Sequence, residues 1–244
     1  QVTSRDHVLE VGPGLGVLTE GLLQQAGRVT AVEKDAGLHA FLAERWAADP
    51  RLTLLRADVL DLDLAELFRN GVTCLVSNLP YAVGTRVVVD AALLDPPPER
   101  MTLLVQLEVA ERFAAVPRTA ARSALSVWLQ QVYDVAVLRR IKPACFWPQP
   151  EVVSALVGLR RHARHPLAPL ARRRLVNITR LAFQQRRKQM AALFRNAAGD
   201  CAADVEALRG ALVSCGASPQ ARAEELGLSQ WCALVRNWPG PPLE

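Results

Sequence analysis

The sequence predicts an α/β protein with a parallel sheet wrapped by helices, followed by a small all-helical domain. Three observations lead to this fold class. Short apolar segments alternate with helical periodicity over the first two thirds of the chain, and only helical periodicity follows residue 160. Half of the 244 residues are hydrophobic, which is enough for one large core and a small second one. We therefore predict one domain over residues 1–163 and a second over 164–244.

The individual elements follow from these patterns. The first strand is predicted at residues 7–11, and a Gly-Pro-Gly turn leads from it into a helix that Gly27 ends. A second helix is predicted over 36–47, and helical periodicity returns at 175–194, 205–213 and 230–235. The remaining strands are predicted at 29–32, 52–55, 74–77, 101–106, 132–138 and 152–159. The domain boundary is placed at 160–166, where Pro166 and an Arg/His cluster occur.

The positive charge is concentrated late in the chain. Residues 1–164 hold 18 Lys and Arg against 18 Asp and Glu, so the net charge of +5 belongs to residues 165–244. Between Glu151 and Asp200 there are 11 Lys or Arg and no acidic residue. Such a stretch is typical of a surface that binds a polyanion, and the alternative is a solvated Arg-rich helix.

Cysteine and histidine usage indicates neither a disulfide framework nor a metal site. The five cysteines are widely spaced without a CxxC pair, which fits a reducing compartment, and we expect a cytoplasmic monomer without a metal. No secretory signal and no apolar run of membrane-spanning length occurs, so we expect no membrane partner. The chain has no initiator Met and reaches its first strand within a few residues, so we expect that an N-terminal segment is missing.

Polar groups and glycines follow successive predicted strands. The first strand runs into a loop that contains Gly12 and Gly14, Glu33 ends the second strand, and Asp58 ends the third. Asn78 follows the fourth. The carboxyl ends of parallel strands form the crevice where open α/β sheets bind ligands. Glu33 at this position can accept both hydroxyls of a ribose, and a carboxylate after the third strand can meet an adenine amine. The alternative for the two acidic residues is helix N-capping.

The tetrapeptide Asn78-Leu79-Pro80-Tyr81 is the most specific motif of the chain. The Asn78 side-chain oxygen and a backbone carbonyl near Leu79 or Pro80 can accept the two hydrogens of an aromatic amine. Those bonds would turn the nitrogen lone pair toward an electrophilic methyl group and stabilise the developing positive charge. Tyr81 can stack on a base extruded from a nucleic acid. The alternative is a plain turn, because Asn and Pro favour turns.

These segments together resemble the family of ribosomal RNA adenine dimethyltransferases. That family contains the small-subunit dimethyladenosine transferases, the erythromycin-resistance methylases and the related mitochondrial transcription factors. The resemblance covers nearly the whole chain. It rests on Val-Leu-Glu-Val-Gly-Pro-Gly-Leu-Gly at 8–16, Val-Glu-Lys-Asp at 32–35, the tetrapeptide, Glu-Val-Ala-Glu-Arg at 108–112, Phe-Trp-Pro-Gln-Pro-Glu-Val-Val-Ser at 146–154, Ala-Phe-Gln-Gln-Arg-Arg-Lys at 182–188 and Arg-Ala-Glu-Glu-Leu at 222–226.

The resemblance implies a Rossmann-like, S-adenosylmethionine-dependent methyltransferase domain with a C-terminal helical domain. The last two motifs look most like the small-subunit enzyme, which dimethylates the N6 of two adjacent adenines in a hairpin loop, so immature small ribosomal subunits are the expected partner. Tyr81 and Phe146 would sandwich the target base, although Trp147 could take the role of Phe146. The methyl donor would be bound by residues of the crevice, namely Glu10, Gly12, Gly14, Glu33, Asp58 and Asn78.

The sequence departs from the family pattern at three places. The tetrapeptide is followed by Ala-Val-Gly-Thr at 82–85 instead of Asn-Ile-Ser-Thr, and Leu107 stands where a Lys is common. A leading Gln-Asn-Phe segment that closes over donor and substrate is absent ahead of Gln1. The first two departures affect substrate detail, and the third affects the activity expected of this chain.

RNA binding is predicted for one face of a basic helix. Arg173, Arg180 and Arg187 are seven residues apart, and Arg186 and Lys188 lie beside that stripe. A neighbouring apolar stripe, made of Leu175, Ile178, Ala182 and Phe183, is expected to pack this helix onto the first domain.

Three other functions remain as alternatives. The nearest is a resistance-type adenine methylase that acts on large-subunit rRNA, which the second-domain motifs disfavour. A non-catalytic RNA-binding or transcription-assisting protein on the same scaffold is disfavoured by the intact tetrapeptide. A small-molecule methyltransferase would have no use for the basic helical part.

Overall fold

The computed structural model describes residues 1–80, 82–195 and 197–241. It contains one seven-stranded sheet in the order β3-β2-β1-β4-β5-β7-β6. The strands β1 to β7 span, in chain order, His7–Val11, Arg28–Glu33, Leu52–Arg56, Cys74–Asn78, Arg100–Gln106, Tyr133–Ile141 and Ser154–Arg161. The pairs β1–β2, β2–β3, β1–β4 and β4–β5 are parallel, and β5–β7 is antiparallel. The sheet is therefore mixed, and its parallel part confirms the predicted α/β class.

The strand order reverses between β1 and β4, which are neighbours although two strands separate them in sequence. Beyond their carboxyl ends an open α/β sheet forms its ligand-binding crevice. The predicted Gly loop follows β1 and the tetrapeptide begins at the last residue of β4, so both lie at this reversal.

Ten helices accompany the sheet in the described part of the chain. They span, from α1 to α10, Val17–Gln25, Ala36–Arg45, Leu64–Arg69, Gly84–Leu93, Leu107–Ala114, Ala124–Val132, Pro169–Gln184, Met190–Phe194, Val205–Ser214 and Leu228–Arg236. Aspartates begin four of the helical segments by accepting backbone N–H groups: Asp35 for α2, Asp58 for a 3-10 turn at Val59–Asp61, Asp63 for α3 and Asp204 for α9. None of these described helices is both long and apolar enough to cross a membrane.

The chain divides into two compact units, and the division differs from a single cut near residue 163. The first unit, which we call the sheet unit, consists of residues 1–110 and 134–161, and the second, the helical unit, of 111–133 and 162 onward. The segment 111–133 belongs to the helical unit because α6 packs there: Val127 is fully buried in its core, and the Trp128 indole donates to the Thr179 hydroxyl at 2.7 Å.

The core of the helical unit also decides where the apolar stripe of α7 lies. Leu175, Ile178 and Ala182 are buried in it, and Phe183 packs against it, together with the fully buried Trp231 of α10. This core includes Val127 of α6, which lies within the predicted first domain of residues 1–163, so the stripe packs against a helix of that domain as well as against helices of the second.

Candidate active site

The loop after β1 is fixed by a close approach to the tetrapeptide. Gly12 has φ +68°, and a Cβ built on it would lie 2.9 Å from Cγ of Pro80. Only glycine fits at this point, because any side chain would meet Pro80 and would also occupy the left-handed region. Gly12 N–H donates to the Val32 carbonyl at 2.9 Å, and the Ser77 hydroxyl donates to the Val11 carbonyl at 2.6 Å. The ends of β1, β2 and β4 are thus joined at one place.

Glu33 is placed beside the same loop. Its carboxylate accepts the Gly14 N–H at 3.2 Å and the Asp35 N–H at 2.9 Å, and the residue is 6% exposed. The N-cap of α2 is Asp35, so Glu33 is not the capping residue. The loop and Glu33 are therefore together, as the sequence predicts for a donor site.

Asp58 serves two structural roles in this structure. One carboxylate oxygen accepts the Leu60 N–H at 3.0 Å and caps the 3-10 turn, and the other lies 2.8 Å from the Lys34 ammonium. The hydrogen bond from Lys34 lowers the pKa of Asp58, which keeps the carboxylate charged. The capping alternative raised for Asp58 is therefore realised, and the residue keeps an ionised group at the end of the third strand.

Glu10 lies inside the sheet unit beneath the loop. It is 1% exposed, it accepts a hydrogen bond from the Thr19 hydroxyl at 2.7 Å, and burial raises its pKa to about 7. The structure thus places Glu10 where it supports the loop through α1. The supporting roles of Thr19 and Ser77 were not predicted from the sequence. The signals that could have shown them are a polar residue, Thr19, on an apolar helix face and a polar residue, Ser77, near the end of an apolar strand.

The described residues of the tetrapeptide, Asn78 to Pro80, follow from the end of β4. Asn78 is exposed, Leu79 is buried and its N–H donates to the Leu104 carbonyl at 3.2 Å. The Pro80 carbonyl accepts the N–H groups of Val83 and Gly84 at 3.1 and 2.9 Å, which uses both of its lone pairs. The Leu79 carbonyl is therefore the backbone acceptor that remains for a ligand. Tyr81 lies outside the described residues, so its predicted stacking role remains a prediction.

A cavity of about 270 Å³ opens at this turn. It is lined by the first three residues of the tetrapeptide and by the loop after β6, whose contributing residues are Phe146, Trp147, Pro148 and Pro150. Asn78 and Phe146, which are 68 positions apart and were each predicted as site residues, thus line the same cavity. Trp147 is 98% exposed, while Phe146 is half-buried.

The basic residues of the helical unit do not form one helical face. Helix α7 ends at Gln184, and residues 185–188 form a turn before α8. Arg187 and Lys188 therefore lie outside the helix, and they do not continue the stripe that Arg173 and Arg180 begin on α7. Both of these residues are exposed, as are Arg173 and Arg180, and the Arg180 guanidinium lies 5.9 Å from the centre of the Trp128 ring.

Arg186 was predicted to lie on a segment without an acidic partner, but in the structure it has one. Its guanidinium forms an ion pair with Glu224 at 2.6 Å and donates to the carbonyls of Ala120 and Thr119. These bonds tie together three segments of the helical unit, so Arg186 is a structural residue. The partner lies 38 positions away in sequence, which is why inspection of the local charge pattern did not reveal it.

Two solved structures share this architecture. The 23S rRNA methyltransferase ErmE superposes with a TM-score of 0.72 at 25% identity, over 97% of this chain and 92% of that one. A dimethyladenosine transferase from Plasmodium falciparum superposes with a TM-score of 0.74 at 19% identity, over 96% of this chain and 90% of that one. The fold, with the Gly loop and the tetrapeptide at the strand reversal, defines a Rossmann-like methyltransferase.

The family follows from the sequence comparisons. Residues 1–209 match the profile of the family described as ribosomal RNA adenine dimethylase. The ribosomal RNA small subunit methyltransferase A of Opitutus terrae is 40% identical over 240 residues, which is 96% of this chain and 83% of that protein. The protein of the same name from Cereibacter sphaeroides is 41% identical over 243 residues, or 97% and 84%. The chain belongs to the ribosomal RNA adenine dimethylase family.

Proposed function

We propose that this chain transfers methyl groups from S-adenosylmethionine to the N6 of adenines in small-subunit ribosomal RNA. The observation that carries the proposal is the contact of Gly12 with Pro80. It sets the loop that would hold the donor directly against the turn that would hold the amine. A displacement reaction requires its two partners within near-attack distance, and this packing supports a site in which a donor at the loop and an amine at the turn would be neighbours.

The residues of the crevice fit a nucleoside with a sulfonium side chain. Glu33 is held beside the loop with a carboxylate that can accept ribose hydroxyls, and the space above Gly14 is open, with no atom within 4 Å of a Cβ built there. Asp58 stays ionised and can accept from an adenine amine. S-adenosylmethionine supplies a methyl group that its sulfonium already activates, so the protein has no need to activate the donor further.

The protein acts on the amine. The lone pair of the adenine N6 is delocalised into the ring, and two acceptors are required to redirect it. In the first transfer the Asn78 side-chain oxygen and the Leu79 carbonyl would accept the two amine hydrogens, because the Pro80 carbonyl is already used by Val83 and Gly84. As the nitrogen becomes positively charged, both hydrogen bonds strengthen, which stabilises the transition state more than the ground state. The cationic nitrogen that each transfer forms then loses a proton to water, and in the second transfer the one remaining hydrogen bonds to one of the two acceptors. This mechanism requires no general base with a shifted pKa.

The base and the RNA would be held by separate parts of the chain. Phe146 lines the cavity at Asn78 and would stack on the flipped adenine, with Tyr81 on the other face as the sequence predicts. The exposed cations Arg173, Arg180, Arg187 and Lys188 would bind phosphates, which positions an RNA without reading its sequence.

We assign the substrate to immature small ribosomal subunits, with two adjacent adenines of a hairpin loop as the target. Relatives at about 40% identity bear the name small subunit methyltransferase A, and their similarity extends over nearly the whole chain. The rRNA substrate would place the protein in the cytoplasm. An enzyme acting on 23S rRNA is the second candidate, because the ErmE structure matches 97% of the chain.

The test is methyl transfer from labelled S-adenosylmethionine to three substrates: immature small subunits, mature small subunits and deproteinised large-subunit rRNA. We expect label on the immature small subunits. Label mainly on large-subunit rRNA would favour the second candidate. Tight RNA binding without any transfer would indicate a non-catalytic binder and contradict the proposal.

A further inference from the structure

Trp147 is unusual among the aromatic side chains of the described residues. It is 98% exposed, whereas Trp231 and Trp238 are 0% and 6% exposed. An indole offers a large, rigid apolar face on which a base can stack. The residue lines the same cavity as Asn78 and Phe146.

Phe146 and Trp147 do not have the same surroundings. The Phe146 backbone is extended, with φ −121° and ψ 152°, and successive side chains of an extended segment project to opposite sides. Phe146 is half-buried and Trp147 is exposed, as this geometry requires. The two rings therefore serve two different bases better than two faces of one base.

The segment that presents Trp147 is restrained. Phe146 N–H donates to the Pro143 carbonyl at 3.1 Å and Cys145 N–H to the Lys142 carbonyl at 3.0 Å, which closes a 3-10 turn. Pro143, Pro148 and Pro150 fix three backbone φ angles in eight residues. A ring presented from such a segment loses little conformational entropy when a base stacks on it.

The strand that leads into this turn carries positive charge. β6 is one of the two edge strands of the sheet, and Arg139, Arg140 and Lys142 lie between the exposed acidic residues Asp134 and Glu151. Arg139 and Lys142 are exposed. Exposed cations followed by an exposed aromatic ring are the combination with which proteins hold a single-stranded nucleic acid.

We propose that Trp147 stacks on the base next to the target adenine, and that Arg139 and Lys142 bind phosphates of the same RNA strand. This inference rests on the proposed function, because it supplies the RNA contact of the sheet unit. The ligand is a nucleic-acid strand, since the segment carries both an exposed aromatic ring and exposed cations.

The first experiment uses the exposure of Trp147 as a signal. A hairpin RNA with two adjacent adenines in its loop is added to the full chain, and quenching of tryptophan fluorescence by acrylamide is measured. We expect the RNA to protect an accessible tryptophan in the wild type and to produce no such change in Trp147→Phe.

The second experiment measures binding of the same hairpin. Trp147→Ala should weaken it by about 5- to 100-fold, within the range for loss of one stacked base, and Trp147→Phe should restore most of the affinity. The double variant Arg139→Ala/Lys142→Ala should reduce the slope of log affinity against log salt by roughly 0.7 per lost phosphate contact. A matched double variant at Arg5 and Arg28, which are equally exposed, should leave the slope unchanged.

The outcomes separate this inference from the proposed function. If the wild type methylates the RNA while Trp147→Ala binds the hairpin normally and acrylamide protection is absent, the inference is wrong and the proposed function stands. If Trp147→Ala weakens binding to small subunits but not to the hairpin, the contact is with a ribosomal protein, which also overturns the inference. If the wild type neither binds nor methylates rRNA, the proposed function fails.

Discussion

Substitution of Gly12 by alanine tests the packing that joins the two halves of the site. The new Cβ would lie 2.9 Å from Cγ of Pro80, where ordinary contact begins at 3.4 Å, so Pro80 must move by about 0.5 Å. The φ of +68° adds roughly 1–2 kcal/mol of backbone strain in the folded state. Pro80 is bonded to Leu79 and lies two residues from Asn78, so the same movement displaces the two amine acceptors. Since a misplacement of 1 Å can cost about 100-fold in rate, we expect at least a tenfold loss.

The control for Gly12→Ala is Gly216→Ala in the helical unit. Gly216 has φ +74° and no atom within 4 Å of a Cβ built on it, so alanine there brings the strain without the clash. Urea unfolding should show a loss of about 1–2 kcal/mol for Gly216→Ala, with an unchanged single-turnover rate of methyl transfer. A Gly12→Ala variant that transfers methyl groups at the wild-type rate would refute the argument that this contact sets the spacing of the site.

Three further predictions concern the donor, the buried acid and the RNA. Glu33→Ala should lower donor affinity in calorimetry by about 1.5–3 kcal/mol per lost hydrogen bond, and unchanged affinity, as expected for the exposed control Glu44→Ala, would contradict the donor role. Burial raises the pKa of Glu10 from 4.5 to about 7. The ionised side chain therefore destabilises the folded state by roughly 3 kcal/mol above pH 7, and this destabilisation is absent below pH 4, where the carboxyl is protonated in both states. Unfolding at several pH values should therefore show Glu10→Gln gaining stability over the wild type as pH rises from about 4.5 to 7, and a constant difference would disprove the shift. Replacing Arg187 and Lys188 by alanine should reduce the salt slope of RNA binding by about one unit per lost contact, and a wild-type slope would show that these cations are merely solvated.

The crevice could be predicted from the sequence because its signals are local. The Gly loop, Glu33 and Asp58 each follow a short apolar strand, and parallel strands place their carboxyl ends at one edge. The contact of Gly12 with Pro80 could not be predicted, since it joins residues 68 positions apart and depends on the strand order. The choice between the carbonyls of Leu79 and Pro80 likewise required the hydrogen bonds at the start of α4.

The basic segment shows where local patterns fail. Helix α7 ends at Gln184, where no glycine or proline marks the end. The helical periodicity of the sequence continues past this point, so the predicted helical segment wrongly included the turn at 185–188. Arg186 was predicted to contact RNA, and in the structure it forms an ion pair with Glu224, which lies 38 positions away in sequence. The apolar stripe of α7 and its packing against residues 1–163 were predicted, but the sequence pattern did not show that α6 is the helix of that range that contacts it.

In the proposed reaction, Asn78 and Leu79 present an adenine amine to a methyl donor. The most direct measurement is to treat immature small subunits with S-adenosylmethionine and either the wild type or Asn78→Ala, and to identify the modified nucleosides by mass spectrometry. We expect N6,N6-dimethyladenosine at two adjacent positions with the wild type and a large loss of it with Asn78→Ala, while binding of the variant to the subunits is retained. A methyl group on any other atom, or an unchanged yield and single-turnover rate with Asn78→Ala, would contradict the proposed reaction.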